Sequence, residues 1–380
     1  CGCNRKGSVW FPYSSSADRE YRVGSCLMVD PEFSPGAFKS IRVLVPGTRT
    51  RFRCGGLNIA IQTARVLANI LPSEVVTYIE RENNHLFLDD LLAQESPSDS
   101  VLWLVSWGFH VPKLLRRLHG RLVVYQAHSS GYGFNVPLGI PIIAVSRNTL
   151  GYWGDRAPRN PLFFVPNPLE SQWLEKGCRA ATTKEDGAAR PIDVLVQKRK
   201  SSPYVLKQLV PALRARGLSV EVQSGWVDDL VDLFNRSSVY LYDSAEYWRG
   251  KGLTEGFGLP PLEAMACGCV VFSSVNHALA DTLMPGLTAH QLGCGSLSFD
   301  VNRIIAAVEH PDQWLGSEDV VRQLLDASTE KFCISRWAYV LNQLEQGFPF
   351  WKDGKPLLAS SPTVLLRLRA LLQRLRRLLS

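Results

Sequence analysis

The sequence predicts an α/β protein of two domains, each a parallel β-sheet covered by helices. At 380 residues the chain is longer than one hydrophobic core usually serves, which favours two domains of ordinary size. Short apolar runs alternate with helix-like segments, a pattern typical of parallel strands joined by helices. The alternation stops in a polar, alanine-rich stretch and restarts at Ile192, where we expect the second domain to begin.

Composition narrows the class of protein. A content of 46% hydrophobic and 20% charged residues is typical of soluble globular proteins. No apolar run approaches the roughly 18 residues of a membrane span, and the first residues do not resemble a signal peptide, so we expect a cytoplasmic protein. The nine cysteines show no metal-ligand spacing, which predicts reduced thiols and no metal site. The net charge of +7 comes without a nucleic-acid-binding motif, so no nucleic acid is expected as a partner.

The first domain is expected over residues 41–168, after an extension of residues 1–40 that lies on the surface. Amphipathic stretches predict helices at Leu57–Ile70 and Val111–Leu118. Apolar runs predict strands at Ile41–Pro46, Val75–Ile79, Val101–Trp107, Leu122–Gln126 and Ile142–Val145. Residues 169–191 are then expected to link the two domains.

Two features of the first domain suit a ligand. Gly55 and Gly56 stand between a strand and a helix, where a glycine pair can cradle a phosphate, although an ordinary tight turn is the alternative. His128 comes two residues after a predicted strand and precedes a glycine-rich loop. Active groups in parallel sheets lie beyond the carboxyl ends of strands, but a lone histidine is more often a structural hydrogen-bonding group.

The second domain is expected over residues 192–330. A helix is predicted at Leu206–Arg216, and strands are predicted at Ile192–Gln197, Val220–Gln223, Val239–Tyr242 and Val270–Ser273. The cations Lys198, Arg199 and Lys200 follow the first of these strands. They could neutralise a diphosphate at the carboxyl end of the sheet, and a solvated turn is the alternative.

The most informative stretch runs from Glu255 to Glu263, with the sequence EGFGLPPLE. Its two prolines predict the entry of a helix, which places Glu255 in the preceding loop and Glu263 near the first turn. Its two glycines leave room for an anionic group beside the free N–H groups of the helix start. The two carboxylates could then hold hydroxyls on either side of a phosphate. The alternative is a solvated loop glutamate and a helix glutamate favoured by the dipole.

Five short motifs occur in the order of one known family. They are Gly55-Gly56, Ala144-Val145-Ser146, Val165-Pro166-Asn167, the cations from Lys198 to Lys200, and Glu255-x7-Glu263. In this order the chain resembles family four of the retaining, sugar-nucleotide-dependent glycosyltransferases, the group 1 glycosyl transferases. The resemblance covers roughly residues 41–345 and implies the GT-B fold, in which two Rossmann-like domains face each other across a cleft. It also implies a helix over residues 331–350 that crosses back to the first domain.

The resemblance assigns roles around a nucleoside-diphosphate sugar. Glu263 would hold the ribose hydroxyls, Glu255 would contact the transferred sugar, and His128 would face the reacting sugar. Arg199, with Lys198 or Lys200, would bind the diphosphate. Gly55 and Gly56 would form the family's glycine loop in the first domain. The backbone N–H groups near the diphosphate or sugar would be those of Gly256, Phe257, Gly258 and Leu259.

The cations bear on the chemistry of transfer. Because the chain has no Asp-x-Asp sequence, Arg199 and Lys200 would replace a divalent metal in stabilising the leaving diphosphate. We therefore expect metal-independent transfer, with no cofactor besides the nucleotide-sugar donor. Two departures from the family pattern are the close spacing of the cations and an insertion at Ala245–Leu253, which either shapes the sugar pocket or forms a solvated loop.

The C-terminal segment, residues 363–380, predicts a basic amphipathic helix. It contains five arginines and no acidic residue, and its leucines recur every three or four positions. The helix either contacts an anionic membrane at its cytoplasmic face, as suits a lipid-linked acceptor, or packs on this protein or a partner.

Taken together, the sequence predicts a hexosyl- or deoxyhexosyltransferase. It would move a sugar to a glycan or lipid-linked acceptor, in the synthesis of cell-surface polysaccharide or glycolipid. A non-catalytic protein that binds sugar nucleotides or glycans on the same fold is the alternative, because a fold does not fix a function. A hydrolase with paired carboxylates is a weaker third hypothesis, since its acids need not lie beside a phosphate-binding helix start.

Overall fold

The computed structural model describes residues 36, 38–98, 100–106, 108–179, 190–351, 368 and 371–372. The predicted surface extension falls outside the described residues up to position 35. The predicted basic helix over residues 363–380 does so too, apart from three positions. No helix in the described ranges has the length and apolar character needed to span a bilayer.

The first sheet has seven parallel strands in the order β3-β2-β1-β4-β5-β6-β7. The strands are β1 Ser40–Val45, β2 Ser73–Thr77, β3 Leu86–Phe87, β4 Val101–Val105, β5 Leu122–Ala127, β6 Ile142–Ala144 and β7 Leu162–Phe164. Five of them confirm the predicted strands, with ends that differ by at most about two residues, which is the usual scatter of such boundaries. The short strands β3 and β7 are not predicted, because two or three apolar residues carry no periodicity.

Helices cover both faces of this sheet. They are α1 Gly55–Leu67, α2 Leu88–Gln94, α3 Val111–Arg117 and α4 Arg147–Arg156, with 3-10 turns at Thr50–Phe52 and Gly108–His110. The two helices predicted in this domain are confirmed as α1 and α3. The start of α4 is fixed by a capping box, in which the Ser146 hydroxyl accepts a hydrogen bond from the backbone N–H of Thr149.

The second sheet has five parallel strands in the order β12-β11-β10-β8-β9. The strands are β8 Ile192–Gln197, β9 Val220–Gln223, β10 Ser237–Tyr242, β11 Val270–Ser273 and β12 His290–Gln291. The four predicted strands are confirmed. The helices are α5 Ser171–Lys176, a π-helical stretch Val205–Leu209 that continues into α6 Val210–Ala215, α7 Leu230–Asn235, α8 Ala245–Arg249, α9 Leu259–Ala266, α10 Leu297–Glu309, α11 Pro311–Trp314, α12 Glu318–Asp326 and α13 Glu330–Trp351, with a 3-10 turn at His277–Asp281.

The final helix α13 packs on the first sheet although it follows the second one in sequence. Trp337 and Leu341 of α13 are buried in the same core as Ile41 of β1 and Leu57 of α1. At its start, Glu330 accepts a hydrogen bond from the Gln62 side chain at 2.9 Å. The last helix therefore ties the end of the second domain to the first, as the family resemblance implies.

Two segments differ from the sequence analysis. Part of the expected linker forms α5, because Trp173 is buried in the second core, edge-on against Phe234 with ring centroids 5.4 Å apart. Phe38, expected in a surface extension, is fully buried and packs edge-on against Phe348 of α13. In both cases one large apolar side chain stabilises the segment by burial, and a single residue gives no periodic signal.

Candidate active site

The two domains meet where loops from the carboxyl ends of their strands touch. The loop after β5 reaches the loop before α9, where the Ser129 hydroxyl donates to the Thr254 carbonyl at 3.0 Å. The side-chain amide of Asn148, in α4, donates to the Thr254 hydroxyl at 2.8 Å. The backbone N–H of Arg147 donates to the Asp281 carboxylate at 2.7 Å. These contacts place Glu255, which follows Thr254 in the chain, at the junction of the two domains.

Glu255 is a buried carboxylate surrounded by donors. Its side chain is almost fully buried, and its Oε2 accepts hydrogen bonds from the Tyr242 hydroxyl and from the Trp248 indole N–H, both at 2.7 Å. Its Oε1 accepts from the Lys200 ammonium at 3.2 Å. Burial by itself would raise the pKa of Glu255, but the Lys200 charge and the side-chain hydrogen bonds bring it below the usual value. Glu255 is therefore ionised and fixed in orientation.

Lys200 is the cation that the fold brings to this carboxylate. Its ammonium lies 4.8 Å from the ring centroid of Trp248, so an aromatic face and a carboxylate hold it together. Its backbone φ of 69° lies in the left-handed region, which costs free energy for a residue with a side chain and is found mainly at functional sites. The side chains of Lys198 and Arg199 are exposed and make no hydrogen bond or ion pair with the described residues. The structure thus brings Lys200, and not Arg199, to the glutamates.

The insertion at Ala245–Leu253 shapes this site. Its first part forms α8, which carries Trp248 to Glu255 and Lys200. The alternative of a purely solvated loop is therefore wrong for this segment. Sequence reasoning missed the contacts of Tyr242 and Trp248 with Glu255. The position of Tyr242 as the last residue of a central strand was the available signal.

Glu263 differs from Glu255 in its hydrogen bonding and in the direction of its pKa shift. It lies in α9, keeps a partly exposed surface and has no side-chain hydrogen bond to the residues that the structure describes. Burial, followed by the charge of Glu170, raises its pKa to about 8. A carboxyl group without a protein partner can accept hydrogen bonds from ligand hydroxyls. The two glutamates of the motif are thus one satisfied, ionised group and one free group.

The backbone between the glutamates offers N–H donors. Helix α9 starts after Gly258, whose φ of 85° requires glycine, and no side chain caps this helix start. Pro260 and Pro261 carry no N–H, so the N–H groups available to an anion are those of residues 256–259. Of these four residues, Phe257 also anchors the loop, because its ring is buried in the second core.

His128 contacts this loop through its backbone. A Cβ atom added to Gly256 would lie 1.5 Å from the His128 carbonyl oxygen, so the two backbones touch across the domain junction. Burial lowers the pKa of the His128 ring to about 4, and its Nε2 is buried without a hydrogen-bond partner among the described residues. The ring is therefore neutral at pH 7, which makes it unsuited to act as a charged acid.

The glycine loop opens toward the second domain. Gly55 and Gly56 are exposed in the first turn of α1, and a Cβ atom added to Gly55 would meet nothing within 4 Å. Just before them, the Arg53 guanidinium lies 5.2 Å from the ring centroid of Trp226 in the second domain. A ligand therefore has room to approach the loop. Among the described residues, no group of three or more His, Cys, Asp or Glu side chains is arranged to hold a metal ion.

The raised pKa of Glu263 predicts a change in stability with pH. Between about pH 4.5 and about pH 8 this carboxyl is ionised in the unfolded chain and protonated in the folded one, so unfolding releases a proton and stability falls as pH rises. In Glu263→Gln this loss is absent. We expect the unfolding temperature of the variant to fall less than that of the parent between about pH 5 and pH 8 in thermal scans. The exposed Glu175→Gln is the control, and parallel curves for Glu263→Gln and parent would contradict the assignment.

Comparison with known proteins identifies a protein family for part of the chain and the fold of the described chain. Residues 206–324 match the model of the family described as Glycosyl transferases group 1. The described chain has the GT-B fold of the solved glycosyltransferases that it resembles. The resemblance to group 1 glycosyl transferases is thereby confirmed for residues 206–324, and the predicted GT-B fold is confirmed by the solved structures.

Two solved structures and one curated protein are similar to this chain. A glycosyltransferase of Rickettsia africae aligns with a TM-score of 0.59 at 10% identity, over 81% of this chain and 98% of that one. Anabaena HepE, solved with UDP and glucose, aligns with a TM-score of 0.57 at 14% identity, over 80% of this chain and 100% of that one. The serotype-specific mannosyltransferase WbdA of Escherichia coli is 33% identical over 88 residues, which is 22% of this chain. The match covers only 10% of WbdA.

Proposed function

We propose that this protein is a retaining glycosyltransferase that moves a hexose or deoxyhexose from a nucleoside-diphosphate sugar to a glycan or lipid-linked acceptor. The observation that carries the proposal is the ion pair of the buried Glu255 with Lys200 beside the N–H groups of residues 256–259, with the free carboxyl of Glu263 one helical turn further on. The complexes of HepE with UDP and UDP-glucose and the mannosyltransferase name of WbdA support this donor class.

The site suits the departure of a diphosphate. Breaking the bond between the anomeric carbon and the phosphate oxygen leaves negative charge on the phosphate and oxocarbenium character on the sugar. The Lys200 ammonium and the N–H groups of residues 256–259 are fixed donors that stabilise this charge as it forms. Because a positive side chain occupies this place, we propose that transfer does not require a divalent metal.

The two carboxylates have separate tasks in this proposal. Glu263 accepts hydrogen bonds from the ribose hydroxyls, because its carboxyl group has no other partner among the described residues. Glu255 holds Lys200 in place and keeps lone-pair capacity on Oε1 for a hydroxyl of the transferred sugar. The neutral His128 ring and its loop line the sugar side of the junction. The exposed side chains of Lys198 and Arg199, which precede Lys200 in the chain, add positive charge at the surface.

We further propose a role at the cytoplasmic face of a membrane, in cell-surface polysaccharide or glycolipid synthesis. The basic composition of residues 363–380 supports contact with anionic lipid, and the side chains of Leu368, Leu371 and Leu372 are exposed. The serotype-specific name of WbdA supports a polysaccharide product.

The donor site is tested by calorimetry of the full chain against UDP, GDP, ADP and dTDP in EDTA. We expect one nucleoside diphosphate to bind, and we expect Glu263→Ala to weaken it at least about tenfold because the ribose hydroxyls lose their acceptor. Glu175→Ala, an exposed glutamate in α5, is the matched control and should bind as the parent does. Binding that needs added Mg²⁺ would overturn metal independence. No binding of any nucleotide would favour a glycan-binding protein instead.

A further inference from the structure

An exposed aromatic ring stands on the first domain, against the loop that touches the second domain. Phe109 lies in the 3-10 turn after β4 and is 76% exposed. Its ring meets Tyr132 edge-on, with centroids 5.1 Å apart and planes at 84°. Single exposed apolar residues are common on protein surfaces, so exposure by itself indicates nothing. The support beneath Phe109 is what sets it apart.

Phe109 rests on a ladder of rings that ends in the core. Tyr132 stacks on Phe134, with centroids 6.2 Å apart and planes at 19°. Phe134 in turn packs against the fully buried rings of Tyr125 and Trp153, at 5.6 Å and 5.3 Å. Rings in such arrangements stabilise one another beyond the area that they bury. The exposed ring is therefore part of a rigid, preorganised surface.

The loop that carries the ladder is also fixed through its backbone. The Arg156 guanidinium donates to the carbonyls of Gly133 and Phe134, at 2.6 Å and 2.9 Å. A Cβ atom added to Gly131 would lie 2.2 Å from the Gly252 carbonyl oxygen, so the same loop touches the insertion that carries Trp248. Charge-assisted hydrogen bonds of this kind are strong, and the two from Arg156 hold the loop on helix α4 of the first domain.

The ladder borders the glycine loop as well. Tyr132 lies close enough to Cys54, the residue before Gly55, for that thiol to add to the effect of burial in raising the Tyr132 pKa. The Tyr132 hydroxyl makes no hydrogen bond within the described ranges. Tyr132, on which Phe109 rests, thus lies near the residue before the glycine loop, in the loop that touches the insertion beside Glu255. The two side chains present one apolar ring face and one free hydroxyl.

We propose that Phe109 and Tyr132 form a stacking platform for a sugar ring of the acceptor, which makes the acceptor a glycan. The proposal rests on the glycosyltransferase function argued above. The C–H bonds on one face of a sugar ring pack on an aromatic face, while the hydroxyls at its edge need a polar partner such as the Tyr132 hydroxyl. An acyl chain would need a continuous apolar groove and would leave that hydroxyl unpaired. One ring with one hydroxyl at its side therefore favours a sugar over a lipid tail.

The test measures binding of oligosaccharides to the full chain saturated with its nucleoside diphosphate. The sugar probes are mannotriose, maltotriose and chitotriose, and dodecylphosphocholine micelles are the lipid probe. Binding is detected by saturation-transfer NMR and quantified by titration. We expect at least one trisaccharide to bind, Phe109→Ala to weaken it about tenfold, and Phe109→Trp to restore it. Phe350→Ala removes a ring that is 80% exposed on α13 and is the matched control. Because Phe109 is exposed, the unfolding temperature should not change.

Three results would overturn the platform. They are equal trisaccharide affinity in Phe109→Ala and parent, binding of the micelles alone through Phe109, and no trisaccharide binding while the nucleotide still binds. Nucleotide affinity separates this proposal from the one that it rests on. If the parent chain binds no nucleoside diphosphate, the donor site fails, whereas intact nucleotide binding in every variant confines a failure to the platform.

Discussion

Replacing Lys200 with alanine is expected to lower the rate of nucleoside-diphosphate release from a nucleotide sugar by about 10²- to 10³-fold. Lys200 is the cation held against Glu255, and removing one preorganised group that stabilises developing charge typically has an effect of this size. Release of the diphosphate in a coupled assay measures it. Lys200→Met keeps an unbranched side chain beside Trp248 without the positive charge, and it should be as impaired as Lys200→Ala, which separates charge from packing.

Arg199→Ala is the matched control for this prediction. Arg199 follows the same strand and carries the same charge, but its side chain is exposed and has no partner among the described residues. We expect its loss to slow release by less than about threefold, the scale of an exposed charge. A greater loss in Arg199→Ala than in Lys200→Ala would contradict the assignment of Lys200 and favour the diphosphate role that the family resemblance implies for Arg199.

Replacing Gly256 with alanine should abolish most transfer while leaving the chain folded. The added Cβ atom would lie 1.5 Å from the His128 carbonyl oxygen, and neither backbone group can rotate away, so the loop or the whole domain must shift. Displacements of about 1 Å can slow catalysis about 100-fold. We expect a loss of at least that size in diphosphate release, with nucleotide affinity reduced less than about tenfold because Glu263 remains in place.

Gly151→Ala controls for the change from glycine to alanine. Gly151 lies in α4, and a Cβ atom there would meet nothing within 4 Å. Alanine in a helix interior is favoured over glycine by about 1 kcal/mol, so this variant should be as stable as the parent or more so, with unchanged release. Parent-like release by Gly256→Ala would show that the contact between Gly256 and His128 is not part of the active arrangement.

Much of the architecture could be predicted because parallel sheets leave strong signals. Runs such as Leu122–Gln126 are continuously apolar, and β5 is buried at every position. The prolines before Leu262 marked the start of α9, and Gly258 stands at the left-handed position that ends the loop. Edge strands of two residues, such as His290–Gln291, lie below what periodicity can detect.

The partners of Glu255 could not be predicted, because they depend on the three-dimensional arrangement of separate segments. Tyr242 ends β10 and Lys200 follows β8, which is the neighbour of β10 in the sheet. Their meeting follows from the order of strands, which alternating patterns do not specify. Lys200 also has a left-handed backbone, and a lysine at that position gives no sequence signal of such a conformation.

The opposite pKa shifts of the two glutamates could not be predicted from the sequence either. Their spacing suggested two similar hydrogen-bond acceptors. Burial by itself raises the pKa of both carboxyls, but the groups beside them differ. Glu255 has a cation and two neutral donors, whereas Glu263 has burial and the charge of Glu170. Pairs of carboxyls whose pKa values are driven apart in this way commonly divide the tasks of a site. The arrangement supports a division between fixing the cation and binding the ribose.

Transfer from a nucleoside-diphosphate sugar can be followed by NMR of the full chain with UDP-, GDP-, ADP- and dTDP-linked hexoses in EDTA, with a trisaccharide as acceptor. We expect one donor to be consumed, its nucleoside diphosphate to appear, and the new anomeric signal to have the configuration of the donor. Lys200→Met should leave that donor largely intact over the same time. If no donor is consumed although its nucleotide binds, or if the product has the inverted configuration, the proposed mechanism is contradicted.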